Sequence, residues 1–139
     1  MIESWILYGL GAAISFSAMA LVIKKLLVLK ISPLIVNTLL FGLVTLGYGF
    51  WIASTDTKIE INLIIILFLI LAGFFSILSS YFDVVSMKFA PNPGYSSALK
   101  ASSLVLITIF SVFLFSSDFS LLKFIGIIIV VGGIFLISK

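Results

Sequence analysis

Residues 61–100 read INLIIILFLILAGFFSILSSYFDVVSMKFAPNPGYSSALK. The apolar run over residues 61–89 is long enough to cross a hydrocarbon core of about 30 Å as a helix. Residues 90–94 end this run with the strongest turn signal in the chain, two prolines and a glycine. Asn92 can cap, and Pro93 can open, the next apolar helix. This stretch therefore predicts a hairpin of two membrane-spanning helices.

The composition of the whole chain agrees with a membrane location. Of its 139 residues, 63% are hydrophobic and 9% are charged, with a mean hydropathy of +1.41, whereas soluble domains carry about 25% charged residues. So low a charged fraction excludes a soluble enzyme and a disordered chain. A net charge of +3 is also too sparse to follow nucleic-acid phosphates. We predict an all-α integral membrane bundle, with the lipid bilayer as a partner and no nucleic acid.

Helical signals divide the chain into five spans within a single domain, residues 1–139. Ser32 and Pro33 have the residue types of an N-cap and a first helical position, and Thr57 with Glu60 has the spacing of a capping box. The predicted spans cover about residues 5–23, 33–53, 61–89, 94–115 and 121–137. An alternative has four spans and an interfacial helix, with Lys24 and Lys25 inside a longer first element.

The distribution of lysines predicts the orientation of these spans. With five spans, one face of the membrane holds two lysines and the other holds six, namely Lys24, Lys25, Lys30, Lys88, Lys100 and Lys139. Because lysine is enriched on the cytoplasmic side, we expect the amino terminus outside and the carboxyl terminus in the cytoplasm. The expected location is the cell (inner) membrane.

Two ionisable residues lie well inside predicted spans, and such residues are costly in hydrocarbon. Asp83 and Lys100 stand about equally far from the turn at residues 90–94, on the two arms of the hairpin. At 1.5 Å per residue they reach a similar depth, so an ion pair between them is reasonable. The pair is either a structural staple that fixes helix register or part of a polar pathway.

Hydroxyl and amide side chains accompany these two charges. Ser76 and Ser80 fall near the helical face of Asp83, and Ser103 follows Lys100 by three residues. Asn37 provides an amide within the second span. Such groups either contact a substrate, bond a neighbouring helix, or satisfy a carbonyl of their own helix.

The chain lacks the residues that several kinds of chemistry require. The chain has no cysteine and no histidine, and its basic residues are all lysine. Thiolate chemistry, the commonest metal ligand and the commonest general base are therefore missing. We expect no catalytic residue, no metal and no cofactor, and we predict that the protein is not an enzyme.

Three stretches together resemble the drug/metabolite transporter superfamily, in its EamA-like five-helix unit. They are the link at residues 27–33 after a basic pair, the turn at residues 87–99, and residues 115–134 with an acid followed by a glycine-bearing helix. Each motif is weak alone, but their order covers nearly the whole chain. Departures from the family pattern are Asp118 in place of Glu and the lack of a proline near Ser102.

The resemblance implies half of a transporter, because such units are usually duplicated as inverted halves around a central cavity. It also implies a small-molecule substrate and a partner, either a second copy or an oppositely oriented paralogue. We therefore predict a dimeric transporter of a small polar or amphipathic metabolite, of the amino-acid or amine type, that works by alternating access. The alternatives are a non-transporting membrane subunit or scaffold and a component of a lipid-linked sugar flippase.

Overall fold

The computed structural model of the chain describes residues 4–55, 61–115 and 120–137. Within these ranges all regular secondary structure is α-helical, which confirms the predicted all-α fold. A helix suits these apolar runs because it satisfies its backbone hydrogen bonds within its own segment, as a bilayer requires. The helices are α1 (Ser4–Val28), α2 (Pro33–Ala53), α3 (Leu63–Phe89), α4 (Pro93–Lys100), α5 (Ser103–Phe115) and α6 (Leu121–Ile137).

The described ranges contain four stretches that are long and apolar enough to cross a membrane. They are Ile6–Val28, Pro33–Ala53, Leu63–Phe89 and Pro93–Phe115, the last of which joins α4 and α5. The 17 residues of α6 rise about 26 Å, which is slightly less than a hydrocarbon core of about 30 Å. The fifth span therefore stays a prediction.

The end of α1 does not coincide with the first pair of lysines. The sequence predicts that the first span closes near residue 23, whereas the helix continues to Val28 and includes Lys24 and Lys25. Lysines near a helix C-terminus are favourable, because their charge opposes the negative end of the helix dipole. Their long side chains can also reach the polar interface while their stems stay in apolar surroundings.

A Schellman motif ends α1. The N–H of Lys30 donates to the carbonyl of Leu27 (3.0 Å), and the N–H of Ile31 donates to that of Leu26 (3.3 Å). These bonds satisfy carbonyls that have no partner inside the helix. The motif needs a left-handed residue, usually glycine, and here Lys30 takes that role with φ at 65°.

Replacing Lys30 by glycine should stabilise the protein. The left-handed conformation costs a residue with a Cβ about 1–2 kcal/mol, and the larger unfolded-state entropy of glycine offsets part of the gain. We expect the free energy of unfolding in mixed detergent micelles to rise by about 0.5–1 kcal/mol. The matched variant Lys25→Gly should lower it by about 1 kcal/mol, because Lys25 is helical. A loss of stability in both variants would contradict this prediction.

Side-chain capping bonds mark the starts of α3 and α4. Asn92 caps α4 as predicted, because its Oδ1 accepts a hydrogen bond from the Gly94 N–H (2.8 Å), and Pro93 is the first helical residue. Ser32 occupies the N-cap position of α2, but its side chain makes no capping bond. At α3, the Oδ1 of Asn62 accepts from the N–H of Ile65 (2.9 Å). The predicted capping box of Thr57 and Glu60 lies outside the described residues.

The predicted fourth span contains an interruption between α4 and α5. The N–H of Ser102 donates to the carbonyl of Leu99 (3.1 Å), and the N–H of Leu104 donates to that of Ala101 (3.0 Å). Both are i→i−3 bonds, so the backbone tightens locally to a 3₁₀-like turn. The interruption follows Lys100, the last residue of α4.

The chain divides into two compact units, Met1–Lys88 and Phe89–Lys139. In the first unit, α1 packs against α2, and a core cluster joins buried residues of α1, α2 and α3. In the second unit, α6 packs against both α4 and α5, and Ile134 is buried. The core cluster of the first unit consists of Ala20, Ile23, Leu27, Val36, Val84 and Met87.

Candidate functional site

Each helix of the first unit has a polar side chain next to a core-cluster residue in the sequence. Lys24 follows Ile23 on α1, Asn37 follows Val36 on α2, and Asp83 precedes Val84 on α3. All three polar residues are half-buried. Each helix of the first unit therefore brings at least one polar residue beside the same apolar cluster, and α3 also brings Ser86 and Lys88 beside Met87.

Lys24 connects α1 to the end of α3. Its Nζ donates a hydrogen bond of 2.8 Å to the carbonyl oxygen of Met87, a fully buried residue in the last turn of α3. Carbonyls in the last turn of a helix have no intrahelical donor, so the ammonium group caps α3 from a neighbouring helix. A charged donor makes this bond stronger than a neutral one.

The sequence interpretation did not include Lys24 among the site residues, because a lysine near the end of a span is usually interfacial. Helical spacing distinguishes Lys24 from a lysine on the exposed face of α1. Lys24 follows Ala20 by four residues and precedes Leu27 by three, which places it on the buried face of α1. Its neighbour Lys25 is exposed.

Asn37 carries a buried oxygen that has no hydrogen-bond partner among the described residues. This atom is the side-chain Oδ1, and it lies in the second turn of α2. A buried polar atom without a partner costs about 1–3 kcal/mol, and native proteins contain few of them. Among the described residues, the packing around Asn37 therefore leaves this oxygen without a donor.

Asp83 is half-buried near the C-terminal end of α3. Its Oδ1 is buried and accepts no hydrogen bond from the described part of the chain, although the residue as a whole does have an interaction partner. A carboxylate can accept about four hydrogen bonds. Asp83 therefore retains accepting capacity at the level of the core cluster.

The serines of α3 differ in how they use their hydroxyl groups. Ser79 donates to the carbonyl of Ser76 in its own helix (3.2 Å). The hydroxyls of Ser76 and Ser80 make no hydrogen bond with the described residues. Ser80 is half-buried and lies one turn from Asp83, whereas Ser76 is exposed two turns away.

Several other hydroxyls bond only to their own helices. Thr38 donates to Leu34 and Thr45 donates to Phe41, each at 2.8 Å. Thr108 and Ser111 of α5 donate to carbonyls four and three residues before them. This local bonding is the third of the roles that the sequence leaves open for serine and threonine.

The second unit carries Lys100 and Ser103 at the two sides of the interruption. Lys100 ends α4 and is exposed, and Ser103 begins α5 and is exposed as well. Ser96, one turn before Lys100, is buried with 5% exposure. An ammonium group and a hydroxyl group therefore flank the place where the helical bonding pattern changes.

The structure places the six predicted site residues in both units. Asn37 and Asp83 share one level of the first unit, with Ser80 and Ser76 along α3, and Lys100 and Ser103 belong to the second unit. The predicted pairing of Asp83 with Lys100 stays a prediction. Among the described residues, no three His, Cys, Asp or Glu side chains come together as a metal site.

Long apolar helices with a few polar groups inside them define a multi-pass helical membrane protein. The sequence matches the EamA-like transporter family over residues 3–139. The chain therefore belongs to this family of membrane transporters, which confirms the resemblance found in the sequence. No curated protein and no solved structure matches the chain.

Proposed function

We propose that the chain is half of a dimeric transporter that moves a small polar or amphipathic metabolite, of the amino-acid or amine type, by alternating access. Its place in the EamA-like transporter family supports transport across a membrane. The cell (inner) membrane is the proposed location, with the amino terminus outside and the carboxyl terminus in the cytoplasm. The residues that we assign to the pathway are Asn37, Ser76, Ser80, Asp83, Lys100 and Ser103.

The observation that carries this proposal is the buried Oδ1 of Asn37 without a partner. A substrate amine or hydroxyl can donate the missing hydrogen bond when it binds. The unsatisfied oxygen therefore lowers the stability of the protein without substrate, and substrate binding removes this free-energy penalty. An asparagine that served only to join helices would have its partner already in place.

The charged residues of the pathway suit a substrate that carries an ammonium group, a carboxylate or both. Asp83 retains an oxygen that can accept a hydrogen bond, and Lys100 is an exposed cation. Ionisable residues within spans commonly mark substrate pathways because their insertion is costly. A zwitterionic amino acid is the substrate class that uses both charges.

The interruption beside Lys100 also supports a transport role. Transporters often bind their substrates where a spanning helix is broken, because the break frees backbone groups for ligands. The change to i→i−3 bonding after α4 is a local interruption of a spanning helix, although the N–H groups of Ala101 and Ser102 remain bonded within it. It lies next to an ammonium group rather than in a wholly apolar part of the helix.

A partner is the remaining part of the proposal. Every residue of α3 from position 63 to position 79 is exposed, and the hydroxyl of Ser76 is on this part of the helix. Lipid can cover an apolar surface, but a second five-helix unit would also cover the polar group. An inverted pair of units places a substrate site at their interface, near the middle of the membrane. A second copy or an oppositely oriented paralogue would supply the other half.

Replacing Asn37 by leucine should stabilise the protein and weaken transport at the same time. Removal of the unsatisfied oxygen should raise the free energy of unfolding in mixed micelles by about 1–3 kcal/mol. Loss of one substrate hydrogen bond should lower uptake into proteoliposomes about three- to tenfold. The transported probe is a labelled compound selected by a thermal-shift screen of amino acids, amines and nucleosides.

Thr38→Val is the matched control for this experiment. Thr38 is on the same helix, but its hydroxyl bonds the carbonyl of Leu34, so stability should change by less than about 0.5 kcal/mol and uptake should stay the same. If Asn37→Leu lowers stability and leaves uptake unchanged, the asparagine joins helices and does not bind a substrate.

A further inference from the structure

An apolar groove lies between α1 and α2 in the first unit. Its walls are formed by one face of α1, by the turn and by one face of α2, through Met19, Val22, Ile23, Leu26, Ile31, Val36, Leu39, Leu40 and Leu43. The groove has a volume of about 400 Å³. All its lining residues are Met, Val, Ile or Leu.

Two exposed lysines stand next to lining residues in the sequence, and Lys30 is in the turn between α1 and α2. Lys25 and Lys30 are both exposed, and each is the chain neighbour of a lining residue, Leu26 and Ile31 respectively. The described stretch from residue 4 to residue 55 contains three lysines and no acidic residue. The lining of the groove is therefore apolar, and the charged residues of the stretch that contains it are all positive.

We propose that this groove binds an anionic glycerophospholipid, with an acyl chain between α1 and α2 and the headgroup phosphate at Lys25 and Lys30. Basic pockets between spanning helices attract anionic headgroups by their charge. An acyl chain is flexible and apolar, so it fits walls that offer no hydrogen bond. None of the residues assigned to the proposed transport pathway lines this groove.

A helix of a second copy fits the groove less well than a lipid does. Close helix packing in membranes depends on small residues such as Gly, Ala and Ser at the contact, and the lining contains none of these. A helix about 10 Å in diameter would fill 400 Å³ with about one turn. Lys25 and Lys30 can also attract a phosphate, whereas an apolar helix offers them no opposite charge.

The backbone at Lys30 agrees with a role for its side chain. Glycine is the usual residue at this position of a Schellman motif, and a lysine there is strained, with φ at 65°. Strained residues that persist often have a function. Lys30 is exposed and lies in the turn between α1 and α2.

Lipid retention tests the site without any measurement of transport. The full-length protein is reconstituted with equal amounts of phosphatidylglycerol and phosphatidylcholine and then extracted in detergent, and the lipids that remain bound are counted by native mass spectrometry. We expect phosphatidylglycerol to be preferred. In the double variant Lys25→Gln with Lys30→Gln, the preference should fall about 25-fold, at about fivefold for each lysine. Lys88→Gln is the charge control, because the neighbours of Lys88 do not line the groove, and it should keep the preference.

A pair of valines on α1 tests the apolar part of the site. Val22 lines the groove and is 61% exposed, whereas Val28 does not line it and is 63% exposed. Val22→Trp should abolish the retention of both lipids, and Val28→Trp should not. Equal retention of the two lipids by the wild type would overturn the proposal. So would a Val22→Trp variant that separates protein dimers and leaves lipid retention unchanged, since the groove would then belong to a second copy.

Discussion

Replacing Lys24 by methionine should lower the free energy of unfolding by about 1.5–3 kcal/mol, the contribution of a hydrogen bond to a charged group. The variant loses the donor that reaches the carbonyl of Met87 and leaves the last turn of α3 without this cap. Methionine keeps most of the apolar stem, so the effect reports the loss of the ammonium group and its interactions rather than a loss of packing. Reversible unfolding by sodium dodecyl sulfate in mixed micelles measures the change.

The neighbouring lysine provides the control. Lys25→Met alters an exposed side chain in the same turn of α1, so the free energy of unfolding should change by less than about 0.5 kcal/mol. Lys24→Arg should retain part of the stability, because guanidinium is also a charged donor. Equal losses in Lys24→Met and Lys25→Met would show that the bond to Met87 contributes little.

Neutralising either charge of the proposed pathway should reduce transport strongly. If the proposed pathway is correct, Asp83→Asn and Lys100→Gln would each remove a charge-assisted hydrogen bond to the substrate, worth about 1.5–3 kcal/mol, and uptake should fall about tenfold to hundredfold. Lys88→Gln removes an exposed lysine at the end of α3 and should change uptake less than about twofold. Proteoliposome uptake of the compound selected by thermal shift provides the rates.

Exchanging the two charges separates a binding site from a structural staple. The double variant Asp83→Lys with Lys100→Asp restores the attraction of a staple but presents the wrong charge to each end of a substrate. We expect this variant to insert in the membrane and to remain inactive. If the exchange restores both the stability and the uptake that the single variants lose, Asp83 and Lys100 form a structural pair.

The sequence predicts those parts of the fold that are encoded locally. Proline and Asn92 mark the start of α4 because their backbone preferences act within a few residues. Pro33 does the same for α2. Hydropathy identifies the spans because each apolar helix must contact lipid or protein on all sides.

Features that depend on distant residues could not be predicted in this way. The bond between Lys24 and Met87 joins positions 63 residues apart, and its acceptor is a backbone carbonyl, which every residue possesses. Asn37 is recognised as unusual because it is polar in an apolar helix, but its missing partner is a property of the packed structure. The left-handed Lys30 and the interruption after Lys100 lack the usual glycine and proline signals.

The interruption between α4 and α5 has a mechanical consequence. A proline would make such a break permanent, because it removes an N–H and blocks a carbonyl. Ala101 and Ser102 each retain an N–H, and both donate hydrogen bonds in the interrupted form. The same residues can therefore complete a continuous α-helix with no lost donor. The segment can therefore change between i→i−3 and i→i−4 hydrogen bonding. Such a change would rotate and shift Lys100 relative to α5, while both helices keep their hydrogen bonds.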